Sequence, residues 1–115
     1  MRAPDVELLW WEGCPSTERA LADLREALRD TGLDATSVHM REIENDADAL
    51  AAAFVGSPTI LIDGADLQPP RDDEPVGLTC RIYHRRDGRI SPIPDPDDVR
   101  DALIRAATRA QVRTE

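Results

Sequence analysis

Short apolar runs alternate along this chain with stretches whose apolar residues recur every three or four positions, and this alternation excludes all-helical and all-strand folds. Residues 6–11 read Val-Glu-Leu-Leu-Trp-Trp and stop at Glu12-Gly13, the length and ending of a buried strand. From about residue 15 to 31, Leu21, Leu24 and Leu28 share a stripe with Thr17, Ala20, Ala27 and Thr31. Charged residues fill the other side, so the segment is an amphipathic helix. Pro15 suits its first position and Gly32 its end. Residues 37–43, with Val38, Met40 and Ile43 among polar neighbours, read as a half-exposed edge strand. Asn45-Asp46 caps a second helix through Ala47, Leu50, Ala53 and Phe54, broken at Gly56-Ser57-Pro58. Residues 58–62 form a β-branched run closed by Asp63-Gly64.

Residues 65–78 carry Pro69-Pro70 and Asp72-Asp73-Glu74-Pro75 and read as an irregular insertion, long for a strand connection. Residues 79–84 read as a further strand stopped by Asp87-Gly88. Pro92, Pro94 and Pro96 lead to a last helix, capped by Asp95 or Asp97, with Val99, Leu103, Ile104 and Ala107 on its stripe. The polar tail, about 110–115, is expected to fray. The expected fold is α/β, in the order β-α-β-α-β-β-α. It has a central mixed four-stranded sheet with one parallel pair, and a long loop between its last two strands. At 115 residues, the chain is the size of one domain, taken as 1–115.

Composition narrows the function. All 14 basic residues are Arg against 23 acidic ones, a net charge of -9. Such a surface disfavours nucleic acid and acidic partners. No run approaches the ~18 apolar residues of a membrane span, and no signal peptide's apolar stretch follows the opening Met-Arg-Ala-Pro-Asp-Val-Glu. The expectation is a soluble cytoplasmic protein with no membrane partner, in a compartment that keeps thiols reduced. Two cysteines, Cys14 and Cys80, are too few for a disulfide scaffold or a four-thiolate zinc site. His39 and His84 have no ligand spacing to each other or to a cysteine. No metal and no cofactor is expected. Arg81, with Arg85-Arg86, reads as a solvated strand edge.

Cys14 stands in Gly13-Cys14-Pro15-Ser16-Thr17, between the first strand and the first helix. The reactive form of cysteine is the thiolate, which free N–H groups and the helix dipole favour at a helix start. At or beside the N-cap, the Cys14 sulfur is placed to accept bonds from the amides of Ser16 or Thr17. The Thr17 hydroxyl can turn toward it, while the Glu12 carboxylate opposes the thiolate. Pro58, fed by Gly56-Ser57, is a candidate cis proline at the same pole of the sheet.

Trp10-Trp11-Glu12-Gly13-Cys14-Pro15-Ser16-Thr17 resembles the active-site turn of the thioredoxin-like superfamily, and Phe54-Val55-Gly56-Ser57-Pro58-Thr59 resembles its cis-proline loop. The closer resemblance is to small bacterial members with a Gly-Cys-Pro turn and a Gly-Leu-Thr-Cys-Arg segment, some labelled alkylmercury lyase-like. It implies a catalytic Cys14 aided by Thr17. It also implies substrate contacts at Trp11, Pro15, Ser57 and Pro58, with Pro58 holding the substrate backbone as a short added strand. The family's Cys-x-x-Cys motif has Thr17 at its second thiol, so the implied protein is monothiol.

Cys80 opens the strand expected at 79–84. A plain hairpin carries it to the pole away from Cys14, too far for a disulfide, unless the 65–78 insertion folds back over the site. A structural role for Cys80 is favoured over a resolving or metal-sharing one. Three function classes follow. The first is monothiol thiol–disulfide redox chemistry, an oxidoreductase activity, with a protein or a low-molecular-weight thiol or disulfide. The second is soft-metal or organomercurial binding through Cys14 with Cys80. The third is a non-catalytic interaction module, monomeric or a homodimer built on an edge strand.

Overall fold

The computed structural model of the protein describes the backbone of residues 4–113 and the side chains of residues 4–109. In chain order the elements are β1 (Val6–Trp10), α1 (Thr17–Asp30), β2 (Val38–Glu42), α2 (Asp46–Ala51), β3 (Thr59–Ile62), β4 (Ala65–Asp66), β5 (Tyr83–His84), β6 (Ile90–Ser91) and α3 (Pro96–Arg113). Residues 1–3 of the N-terminal stretch read for a leader lie outside the described residues, as do residues 114 and 115 of the tail. The rest of the tail expected to fray continues as α3.

The main sheet has the order β2-β1-β3-β4. β1 runs parallel to β2, with Val6 opposite Val38 and Trp10 opposite Glu42. It runs antiparallel to β3, with Val6 opposite Ile62 and Leu9 opposite Thr59. Side-chain chemistry explains the order. β1 and β3 bury apolar side chains on both faces and take the centre, whereas β2, Val-His-Met-Arg-Glu, is mostly exposed and takes an edge.

Strand alternation sends Val6, Leu8, Ile60 and Ile62 to one face. There they meet Ala20, Leu24, Ala27 and Leu28 of α1 and Val99, Leu103 and Ala106 of α3. Each fully buried Leu, Ile or Val side chain contributes about 1.5–3 kcal/mol. Leu9 faces the other way, onto Ile43, Ala49 and Phe54. The Asn45 side chain caps α2 by accepting from Asp48 N–H at 2.8 Å. Asp95 prepares α3, accepting from the Asp97 amide at 2.9 Å just before Pro96.

The expected four-stranded mixed sheet is present, but its fourth strand is β4, inside the segment read as irregular. Asp63 at φ 52° and Gly64 at φ 79° make a two-residue turn that folds the chain straight back beside β3. Pro69-Pro70 then ends the ladder, because proline has no N–H to extend it. The edge expected for residues 79–84 is therefore taken. That segment leaves the sheet: Cys80 makes an isolated bridge to Ser57, and Tyr83–His84 pairs with Ile90–Ser91 across the Asp87-Gly88 turn. α1 starts at Thr17 rather than near Pro15, and α2 ends at Ala51, before Ala53 at φ 52°. Leu50 and Ile104, both expected on buried stripes, are 74% and 51% exposed; Ala49 and Ala106 fill those places.

Candidate functional site

The C-terminal end of β1 and the start of β3 meet at one pole of the sheet, since Leu9 pairs with Thr59. Beyond β1 the chain makes a tight turn in which Cys14 N–H donates to the Trp11 carbonyl at 3.0 Å. The Trp11 indole folds back over Gly13, and a Cβ at Gly13 would stand 2.1 Å from the ring. Trp10 and Trp11 face opposite ways, as strand alternation requires. Trp10 packs on the α1/α3 core and Trp11 on the α2 side.

Ser16 is the N-cap of α1, without a side-chain cap bond, so Cys14 stands two residues ahead of the helix cap. Its thiol donates across the fold to the Ser57 carbonyl at 3.5 Å, instead of accepting from the amides of Ser16 or Thr17. The Thr17 hydroxyl is buried and has no hydrogen-bond partner among the described residues. Cys14 is buried, at 9% exposure, and Pro15 beside it is exposed.

Ser57 is the node of the site. The Ser57–Pro58 peptide bond is cis. Ser57 N–H donates to the Thr79 carbonyl at 2.8 Å, and the Ser57 carbonyl accepts from Arg81 N–H at 2.9 Å. These two bonds form an isolated parallel bridge that sets Cys80 directly opposite Ser57. The Trp11 indole N–H adds a bond to the Thr79 carbonyl at 3.2 Å. Gly56 makes the approach possible. Its φ is 146°, and a Cβ there would lie 2.9 Å from the Arg81 backbone N and Cα.

Cys80 therefore lies at the Cys14 pole, not at the far one. The far pole follows only from a plain hairpin, and the exception, an insertion that folds back toward the site, is what forms. The hairpin closes early at β4, and residues 67–78 carry the chain back to the cis-proline loop. Both cysteines are free thiols, Cys14 buried and Cys80 exposed.

Arg81 is not a solvated edge residue. It is 5% exposed, and its guanidinium grips Asp66 with bonds of 2.7 and 2.8 Å. It also donates to Thr59 Oγ1 at 3.1 Å and to the Gln68 carbonyl, and lies over the Tyr83 ring at 4.8 Å. Burial pulls its pKa down, but the Asp66 hydrogen bond and the Asp66 and Glu74 carboxylates help to outweigh that and hold it above the ordinary value. Tyr83 OH donates to the Pro58 carbonyl at 2.6 Å. Burial above all pushes the Tyr83 pKa well above that of an ordinary phenol, so it remains a donor at neutral pH.

Beside the Cys14 turn is a groove of about 540 Å³, lined by Trp11, Glu12, Gly13, Glu42, Ile43, Glu44 and Leu78. That volume suits a small molecule or a peptide side chain. His39 and His84 are exposed on separate strands. No group of three or more metal-ligating side chains occurs among the described residues, and none of their helices is long and apolar enough to cross a membrane.

Of the residues picked from the sequence, Trp11, Cys14, Ser57, Pro58 and Cys80 come together, with Thr17 buried nearby in sequence and Pro15 at the rim. Sequence reading missed Asp66, Thr79 and Tyr83, quoted Gly56 only within a loop, and took Arg81 for a surface residue. The signal for the β4 return was Asp63-Gly64, a hairpin pair read only as a strand stop. No known protein family, curated protein or solved structure matches the chain.

Proposed function

We propose that the protein is a thioredoxin-like thiol–disulfide exchange protein in which Cys14 is the reacting thiol. The observation that carries this reading is the contact of the Cys14 sulfur with the Ser57 carbonyl, immediately before Pro58. It joins the turn after β1 to the loop before β3, the two segments whose sequences resemble the active site of that superfamily. A parallel β1–β2 pair with β3 antiparallel beside it is the support such a site needs.

In the reaction, Cys14 as thiolate attacks one sulfur of a disulfide. A bond forms between the two sulfurs, the substrate S–S bond breaks, and the second substrate sulfur leaves as a thiolate that takes up a proton. Trp11 offers an apolar wall for the substrate. Glu12, Glu42 and Glu44 around the neighbouring groove favour neutral or basic disulfides over acidic ones.

The test is alkylation mapped by mass. Exposure alone predicts that Cys80 reacts with iodoacetamide before buried Cys14. The expected result is the reverse order in the folded protein near neutral pH, with the fast phase lost in Cys14→Ser. A Cys14 that reacts only after unfolding would overturn the reading.

A second reading, two-thiol binding of a soft metal or an organomercurial, is favoured by the placement of both cysteines around Ser57. It requires one metal per chain, with tight binding lost in Cys14→Ser and in Cys80→Ser alike.

A further inference from the structure

We infer that Cys80 is the resolving thiol of this site, closing a reversible internal disulfide with Cys14 across Ser57. This rests on the reading of Cys14 as the reacting thiol and extends it from a monothiol to a dithiol cycle.

Both sulfur-bearing residues are tied to a single residue. The Ser57 carbonyl accepts the Cys14 thiol at 3.5 Å and the amide of the residue after Cys80 at 2.9 Å. One carbonyl oxygen therefore lies between the Cys14 sulfur and the backbone that carries Cys80. Residues opposed in a bridge project from the same face, so the Cys80 and Ser57 side chains leave the ladder together. The Ser57 hydroxyl, in a residue with 0% exposure, has no partner among the described residues. It is a donor free for a sulfur anion formed on that face.

Cys80 is exposed, and the residues on either side of it are tied down. The Thr79 carbonyl takes two donors, Ser57 N–H and the Trp11 indole. Arg81 is buried on Asp66, and buried Tyr83 is bonded to Pro58. A solvent-facing cysteine with anchors on both sides is held for reaction.

After Cys14 has formed a mixed disulfide with half of the substrate, Cys80 as thiolate attacks the Cys14 sulfur. The Cys14–substrate S–S bond breaks, the Cys14–Cys80 S–S bond forms, and the second substrate half leaves as a thiolate that takes up a proton. The substrate disulfide gains two electrons and the protein dithiol loses them. A low-molecular-weight dithiol returns the protein to its starting state.

The experiment uses the full chain and the neutral aromatic disulfide 4,4′-dithiodipyridine in slight excess, with released thiopyridone followed by absorbance and product mass measured without reductant. The wild type is expected to release two equivalents and to end two hydrogens lighter than the dithiol, with one cross-linked peptide containing Cys14 and Cys80. Cys80→Ser is expected to release one equivalent and to retain the other half on Cys14. A wild type that keeps an adduct on each cysteine, or forms only intermolecular dimers, overturns the inference and leaves the reading of Cys14 standing. A Cys14 that does not react in Cys80→Ser overturns both.

Discussion

Arg81 forks onto the carboxylate of Asp66, its two N–H groups 2.7 and 2.8 Å from the two oxygens, with side chains only 4% and 15% exposed. Asp66 ends the short return strand β4, and Arg81 follows Cys80. The pair therefore joins the rim of the sheet to the segment that carries the second thiol.

Breaking that pair leaves a buried charge without its partner. Asp66→Ala is expected to destabilise the protein by about 3–5 kcal/mol in urea unfolding. Arg81→Met strands the Asp66 carboxylate in the same way, and the double variant Asp66→Ala/Arg81→Met should cost less than the two single losses added together. Arg81→Lys should not restore the wild type, because an ammonium cannot make the two-pronged contact. An Asp66→Ala protein as stable as the wild type would show that the pair does not hold the segment.

Tyr83→Phe isolates a neutral contact. The phenol gives its bond to the Pro58 carbonyl at 2.6 Å, and Pro58 is fully buried. Removing the hydroxyl leaves that carbonyl short of a donor, at a cost of about 1–3 kcal/mol. The ring remains to pack beneath Arg81, so the unfolding transition should stay cooperative. A Tyr83→Phe variant with wild-type stability would place the bond's net contribution near zero.

The central layer was legible because its signals are local. Val6 to Trp10 and Thr59 to Ile62 are too apolar and too short to be anything but central strands, and Leu24, Leu28, Val99 and Leu103 mark helix faces by spacing alone. Cys14 was legible for the same reason, standing between a strand and a helix. The position of Cys80 was not. It depends on where a 12-residue connection (67–78) returns, and on Arg81, whose charge reads as surface until Asp66, fifteen residues earlier, is seen to meet it. A buried ion pair makes no periodic pattern. Gly56 was quoted only as part of a turn, because the backbone that crowds it lies far along the chain.

Acid should loosen the contact between the β5–β6 hairpin and α3. Arg86 donates to Asp98 at 2.7 Å and to Asp101 at 2.6 Å, and its amide donates to Asp95 at 3.0 Å. The amides of Arg86 and Asp97 hold Asp95 below the usual carboxylate range, and the Arg86 side chain does the same for Asp101. Carboxylates that are more acidic in the folded chain than in the unfolded one stabilise the fold above their unfolded value, about pH 4. That contribution falls away as pH drops through the folded values. The midpoint of thermal unfolding should therefore fall between about pH 5 and pH 2, and the fall should be shallower in Arg86→Ala. These groups are exposed, so raised salt should shrink the difference between the two proteins. Parallel pH profiles for the two would sink the assignment.

Gly13 and Gly56 both exclude a side chain, for different reasons, and alanine should separate them. At Gly56 the obstacles are the Arg81 backbone N and Cα, 2.9 Å from the new Cβ, and φ is 146°. Neither can be relieved by turning a side chain, so Gly56→Ala should cost roughly 1–3 kcal/mol or more in strain and push residues 79–81 off Ser57. At Gly13 the obstacle is the Trp11 ring, 2.1 Å away, which can swing aside. Gly13→Ala should then lose the indole bond to Thr79, about 1 kcal/mol, and change the near-ultraviolet circular dichroism. The expected order is a larger stability loss in Gly56→Ala than in Gly13→Ala. Equal losses, or an unchanged aromatic spectrum in Gly13→Ala, would mean that Trp11 does not rest over the turn that carries Cys14.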